Sequence, residues 1–314
     1  MKKLALLLAV LLICASLASC IQNNGRDGDT LDIVCLSFPE YDWTRNVVGD
    51  REDVEIKLLR RGGVDLHSYQ PTAADLMDIY ESDLFVYIGS PSFSGFEEAV
   101  EKSEGNCVDL LSFFEGDELC GHTDDHEHTD AHHHSHGIDE HIWLSLSHSV
   151  KCIGYINALL CKIDPQGKEI YSRNSREYTK KLEELDLNYR KTVESAETNV
   201  LVFADRYPFV HMANDYGLEC PAAFSGCSGE SSASFDTLRH LISSVEENRL
   251  NCVITLEGKD KSLARTVVSS VDDRTVKILT LNSMQAMGQT DIDNGIDYIS
   301  VMENNLDVLK EALG

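Results

Sequence analysis

Positive charge is what this chain has least of: 27 Lys and Arg stand against 53 Asp and Glu, for a formal net charge of −26 at pH 7. No basic run exceeds Lys-Lys or Arg-Arg. Nucleic acid and anionic membrane surfaces are bound through a surplus of Lys and Arg, so the composition excludes both as partners and favours a cation. Long hydrophobic runs are missing too: beyond the first 20 residues, none approaches the roughly 18 apolar residues of a membrane-spanning helix. There are ten Cys but no CxxC pair, which removes the common zinc-ribbon spacings. HExxH and GxSxG are absent, and with them the commonest signatures of zinc proteases and serine hydrolases.

What is present is a folded body behind an export signal. Of 314 residues 42% are hydrophobic and 25% charged, which excludes disorder over most of the length and suffices for two cores of ordinary size. Met1-Lys2-Lys3 is a short cationic head. The uncharged apolar run at residues 4–17 is too short to span roughly 30 Å of hydrocarbon but suits the core of a signal peptide. It ends in Leu17-Ala18-Ser19-Cys20, which resembles the lipobox of bacterial lipoproteins, where the peptide is cut before the Cys and the thiol takes a diacylglycerol. Residues 1–19 are therefore expected to be a lipoprotein signal peptide, Cys20 the lipidation site and residues 20–30 a tether. The mature protein is then extracytoplasmic and held at the cell membrane by lipid alone. The plainer alternative is a secretory signal with Cys20 an ordinary thiol. Cys35, Cys107, Cys120, Cys152, Cys161, Cys220, Cys227 and Cys252 remain, an even number that permits disulfides without selecting a pairing.

Short runs rich in Val, Ile, Phe and Tyr, at residues 31–38, 54–59 and 83–89, alternate with helical stretches such as 72–80. Such runs suit parallel strands buried on both faces. The pattern recurs at residues 199–204, 252–256 and 276–281. The expected fold is α/β in two lobes, each a small mostly parallel sheet flanked by helices: an N-terminal lobe over 31–164, a long rigid linker helix over 165–198 and a C-terminal lobe over 199–314. The linker starts at Pro165, has no Gly or Pro after Gly167, and carries Ile170, Tyr171, Tyr178, Leu182, Leu185, Leu187 and Tyr189 at partly helical spacing. As a helix of about 30 residues it is roughly 45 Å long and restricts the lobes to small motions. Charges interrupt the a/d pattern of a coiled-coil dimer, so a monomer is expected.

Metal-ligating residues gather at four places. His67 lies in Val64-Asp65-Leu66-His67-Ser68-Tyr69-Gln70-Pro71, beyond a strand's carboxyl end, where α/β folds place ligands; a lone His in such a place is more often a surface residue. His141 follows two carboxylates in Asp139-Glu140-His141-Ile142-Trp143-Leu144-Ser145, an acidic niche with an apolar pair to bury its far side. In the loop 121–137, His122, His126, His128, His132, His133, His134 and His136 are interspersed with Asp and Glu, and Ala131 is the one apolar residue between His122 and His136. This tract cannot pack; it is expected to be a solvated loop that captures ions such as zinc loosely, or one that only solvates. Glu257 follows the strand at 252–256 and either reaches the space between the lobes or caps the helix beginning near Lys261.

Together, VDLHSYQPTAADLMDIYESDLFVYIG, the His-rich insert, DEHIWLSL, the long helix, FADRYPFVHMANDYGLECPAAFSGCS, ILTLNSMQAM and GIDYISVMENNLDVLKEAL resemble the zinc/manganese class of substrate-binding lipoproteins of ABC importers, from about residue 30 to residue 313. The resemblance implies two α/β lobes on a rigid helix, one transition-metal ion in the cleft, Zn2+ or alternatively Mn2+, and delivery to the permease and ATPase subunits of a metal importer. His67 and His141 match the family's first two ligands. The second lobe departs from the pattern: the usual third ligand falls on Arg206, with Asp205 beside it, and the usual fourth on Asn282. A guanidinium ligates no metal. The missing group then comes from Glu257, Asp205 or His211, or the ion is held by two His and water. Glu257 is the expected ligand, with Arg206 orienting it through a bidentate pair. Two imidazoles and a carboxylate suit tetrahedral zinc, whereas manganese prefers more oxygens. The same donors describe a hydrolytic zinc, but no general base stands at a suggestive spacing, so a binding protein and not an enzyme is expected. A metal buffer or surface adhesin that feeds no importer is the remaining alternative.

Overall fold

The structure is a computed structural model that describes residues 30–60, 66–90, 95–103, 106–114, 139–225, 233–258, 260–272 and 275–314. Residues 1–29, with the expected signal peptide and Cys20, the His-rich tract from His122 to His136, Cys120 and Cys227 lie outside the described residues.

The first half runs through β1 (Leu31–Cys35), α1 (Phe38–Val48), β2 (Val54–Leu58), α2 (Ala73–Glu81), β3 (Leu84–Tyr87), α3 (Glu97–Lys102) and β4 (Cys107–Asp109). Its strands pair in parallel in the order β2-β1-β3-β4, with Leu31 opposite Val54, Ile33 opposite Leu84 and Phe85 opposite Cys107. Thr72 and Asp75 start α2 by satisfying each other's backbone N–H, which fixes how the chain leaves the segment that carries His67. Then come α4 (Leu146–Ile163), a 3-10 turn at Pro165–Gly167 and α5 (Lys168–Glu194). The second half repeats the plan with β5 (Phe203–Tyr207), α6 (Val210–Tyr216), β6 (Ala222–Ser225), α7 (Phe235–Glu247), β7 (Cys252–Leu256), α8 (Ser262–Ser270) and β8 (Lys277–Leu281). Its order is β6-β5-β7-β8, again parallel, and α9 (Gln289–Asp293) and α10 (Tyr298–Leu313) end the chain.

Three strands depart from the sequence pattern for physical reasons. β5 lies later than the apolar run at 199–204: Val200 makes only an isolated bridge to Glu219, and an irregularity between Phe203 and Arg206 carries pairing on into polar residues. β4 and β6 have three and four residues, too few for a period to show.

The linker is a helix of 27 residues, roughly 40 Å long. It buries Tyr171, Ser175, Tyr178, Leu182, Leu185 and Tyr189, so Leu187 falls off the stripe and is 53% exposed. Its phenols fasten both halves. Tyr178 donates to Asp42 Oδ2 at 2.7 Å in the first half, and Tyr189 donates to the Met302 carbonyl at 2.6 Å in the second. α10 also serves both: the Tyr298 ring meets Trp43 edge-on at 5.5 Å, and its hydroxyl donates to the Trp143 carbonyl. One buried apolar cluster therefore runs through both halves. Among the described residues no helix is long and apolar enough to cross a membrane, and Cys35, Cys107, Cys152, Cys161, Cys220 and Cys252 are free thiols.

Candidate metal centre

His67 is carried on a 3-10 turn at Leu66–Ser68, after the carboxyl end of β2. His141 immediately precedes another, at Ile142–Leu144, whose three side chains are all buried. Ser145 then caps α4 by accepting the His148 N–H, so the segment is anchored on both sides. His141 is 1% exposed, with its ring tilted against Trp143 at 5.0 Å and against His67 at 5.4 Å.

The Nε2 atoms of His67 and His141 are 3.3 Å apart. Two imidazoles bound tetrahedrally to one zinc ion at ~2.0 to 2.1 Å hold their nitrogens roughly 3.3 to 3.4 Å apart, so this pair has the spacing of two ligands. Asp139 Oδ1 accepts the His141 backbone N–H and lies 2.9 Å from Nδ1 of the same residue. An imidazole that donates through Nδ1 presents a lone pair at Nε2, so Asp139 turns the metal-binding face of His141 outward. Burial by itself raises the Asp139 carboxyl, but the bond and charge of His141, with the charge of His211, outweigh it and hold the group below the usual carboxylate range. Glu140 Oε1 lies 3.6 Å from His67 Nδ1. Among the described residues, His67, Glu140 and His141 form the one group of at least three His, Cys, Asp or Glu whose ligand atoms all lie within 4.8 Å of one another.

Glu257 is not brought into that group. Its two carboxylate oxygens accept the Ser283 N–H at 2.7 Å and the Ser283 hydroxyl at 2.6 Å. Burial raises the Glu257 carboxyl; the Ser283 bonds and the Arg206 charge only partly offset this. Arg206 and Glu257 line a cavity at the carboxyl ends of β5 and β7 rather than the histidine pair. Asp205 accepts the Leu256 N–H, and His211 Nε2 lies 2.8 Å from the Asp139 carbonyl oxygen. Asn282 shapes a turn: its Oδ1 accepts the Met284 N–H and its N–H goes to Asn305. The residue of the second half that does reach the pair is Gln285, with its amide nitrogen 2.5 Å from His141 Nε2 and 3.3 Å from His67 Nε2. Sequence reasoning missed Gln285, and it took Glu140 only as part of an acidic niche.

Comparison with known proteins agrees with this architecture. The high-affinity zinc uptake system protein ZnuA of Bacillus subtilis is 32% identical over 290 residues, covering 91% of this chain and 88% of the relative. The zinc-binding lipoprotein AdcA of Streptococcus pneumoniae is 33% identical over 320 residues, 99% of this chain but 61% of the relative, so the chain spans about three fifths of that protein. The crystal structure of the Zn(II)-bound ZnuA-like domain of Streptococcus pneumoniae AdcA superposes with a TM-score of 0.71 at 27% identity, covering 90% of this chain and 99% of the domain. The ZnuA family, described as the periplasmic component A of the zinc-uptake complex, matches residues 33–312, and the chain belongs to it.

Proposed function

We propose that this chain is an extracytoplasmic protein that takes one zinc ion between its two halves and delivers it to the permease of an ABC importer powered by its ATPase subunit. The 3.3 Å separation of His67 Nε2 and His141 Nε2 carries this reading, because it is the spacing that two imidazoles need on a tetrahedral ion. His67 and His141 supply two nitrogens and Glu140 the carboxylate oxygen. This nitrogen-rich set favours Zn2+, and Mn2+ is the alternative cargo. Glu257, the ligand expected from sequence, acts at one remove by holding the turn at Ser283. The His-rich loop gathers ions ahead of the cleft, and Cys20 anchors a monomer to the membrane by lipid.

α5, bonded to both halves, limits closure to a few ångströms, so the permease reads a small change at the seam rather than a wide hinge. The test is a zinc titration, against a competing chelator, of the mature protein with and without residues 121–137. One tight equivalent survives the deletion and is lost in His67→Ala and His141→Ala. Tight binding that disappears with the loop would place the site elsewhere. Turnover of an ester or peptide by the zinc-loaded protein would favour the hydrolase reading.

A further inference from the structure

The second half meets the histidine pair through Gln285, which is 2% exposed. Its amide nitrogen lies 2.5 Å from one Nε2 and 3.3 Å from the other. His141 directs its Nδ1 hydrogen to Asp139, which leaves its Nε2 an acceptor, and the Glu140 carboxylate lies 3.6 Å from His67 Nδ1. A primary amide carries two N–H donors, so a single Gln can satisfy two imidazole lone pairs. Those are the lone pairs that a zinc ion uses.

We infer that Gln285 is an intramolecular competitor for the ion: its amide bonds His67 and His141 across the two halves, and zinc binds by displacing it. The inference rests on the His67–His141 ion site proposed above. The backbone around Gln285 holds it to this task. Glu257 grips Ser283, the Trp143 indole donates to the Ser283 carbonyl at 2.9 Å, and Arg60 donates to the Met287 carbonyl at 2.5 Å. The turn is thereby tied to the first half. The residue type fits as well. A Lys here would repel the ion and a Glu would bind it, whereas a neutral amide closes the seam yet yields to a divalent cation.

The experiment compares zinc affinity, by chelator competition, in the full mature chain, in Gln285→Ala and in Gln285→Met, which fills the same volume without donors. Both variants are expected to bind zinc about tenfold more tightly, since two hydrogen bonds no longer compete. Their zinc-free forms should also exchange backbone hydrogens faster at the Trp143–Ser283 seam. Weaker binding in both variants would overturn the inference by making Gln285 a ligand through its oxygen. Unchanged affinity would overturn it by making Gln285 packing only. If Gln285→Ala does not fold, Gln285→Met decides alone. Failure of the ion site itself looks different: the unsubstituted protein would then hold no zinc that His67→Ala releases.

Discussion

His211 Nε2 donates to the carbonyl oxygen of Asp139 at 2.8 Å, while the carboxylate of the same Asp139 takes Nδ1 of His141 at 2.9 Å. His211 belongs to α6 in the second half, so the ring facing the proposed ion is oriented through a residue gripped from across the seam. His211 is buried, packs edge-on against His148 at 5.0 Å, and turns toward Asp139 rather than the ion site. His211→Phe keeps a ring in the cavity and deletes the bond. Zinc affinity should fall about tenfold, the scale on which partners of metal ligands act, whereas His141→Ala should abolish tight binding. Equal losses in a competition titration would mean that His211 is a ligand.

Glu257 supports the site from the other side. Its bonds to Ser283 stiffen a turn in which Met284 has φ 62°, a left-handed conformation that costs a non-glycine residue about 1 kcal/mol or more. Glu257→Gln keeps the shape but retains a single acceptor oxygen for Ser283. The expected outcome is a loss of about 1 kcal/mol of stability, a melting temperature lower by roughly 2 to 4 °C, and zinc binding weakened far less than in His67→Ala. If Glu257→Gln and His67→Ala weaken zinc binding equally, the carboxylate is a ligand after all.

These two residues show how far the sequence could be read. The parallel sheets, the linker helix and the two isolated histidine motifs are legible because each depends on local pattern: strand runs, helix formers, a His beyond a strand end or after paired carboxylates. Gln285 is not legible, because an amide has no ligand spacing and reaches the histidines only through a turn whose left-handed residue is a Met, where Gly or Asn would have signalled it. Asn282, three residues earlier, drew the ligand assignment from the resemblance, but its side chain accepts the Met284 N–H and builds that turn. Leu187 likewise belongs to the stripe read from helical spacing, but the face that the helix buries, through Tyr178, Leu182, Leu185 and Tyr189, leaves it turned to solvent.

A lipid anchor is expected at the N-terminal segment. Leu17-Ala18-Ser19-Cys20 should be cut before Cys20 and the thiol lipidated. Cells fed a labelled fatty acid should mark the unsubstituted protein and leave Cys20→Ala unlabelled and released from the membrane. Equal labelling of both would sink the lipoprotein assignment.

A buried carboxyl on α1 makes stability depend on pH. Glu40 is 1% exposed on α1, accepting the Ile88 N–H at 3.1 Å and the Ser37 hydroxyl. Burial pushes its carboxyl up from 4.5 to about 6, more than those bonds and Arg60 bring it down. Because the folded protein holds this proton more tightly than the unfolded chain, folding takes up a proton between the two values. Stability from this group is therefore full below about pH 4.5, falls by about 2 kcal/mol as pH rises through about 6, and then levels. Asp42, pushed up to about 6 by burial, adds a slope of the same sign. In chelator, so that metal linkage does not enter, the stability of Glu40→Gln should fall less steeply between pH 4.5 and 6.5 than that of the unsubstituted protein. The double variant with Asp42→Asn should be flatter still. Identical slopes in denaturant melts would mean that Glu40 stays ionised in its buried site and that its bonds to Ile88 and Ser37 outweigh desolvation.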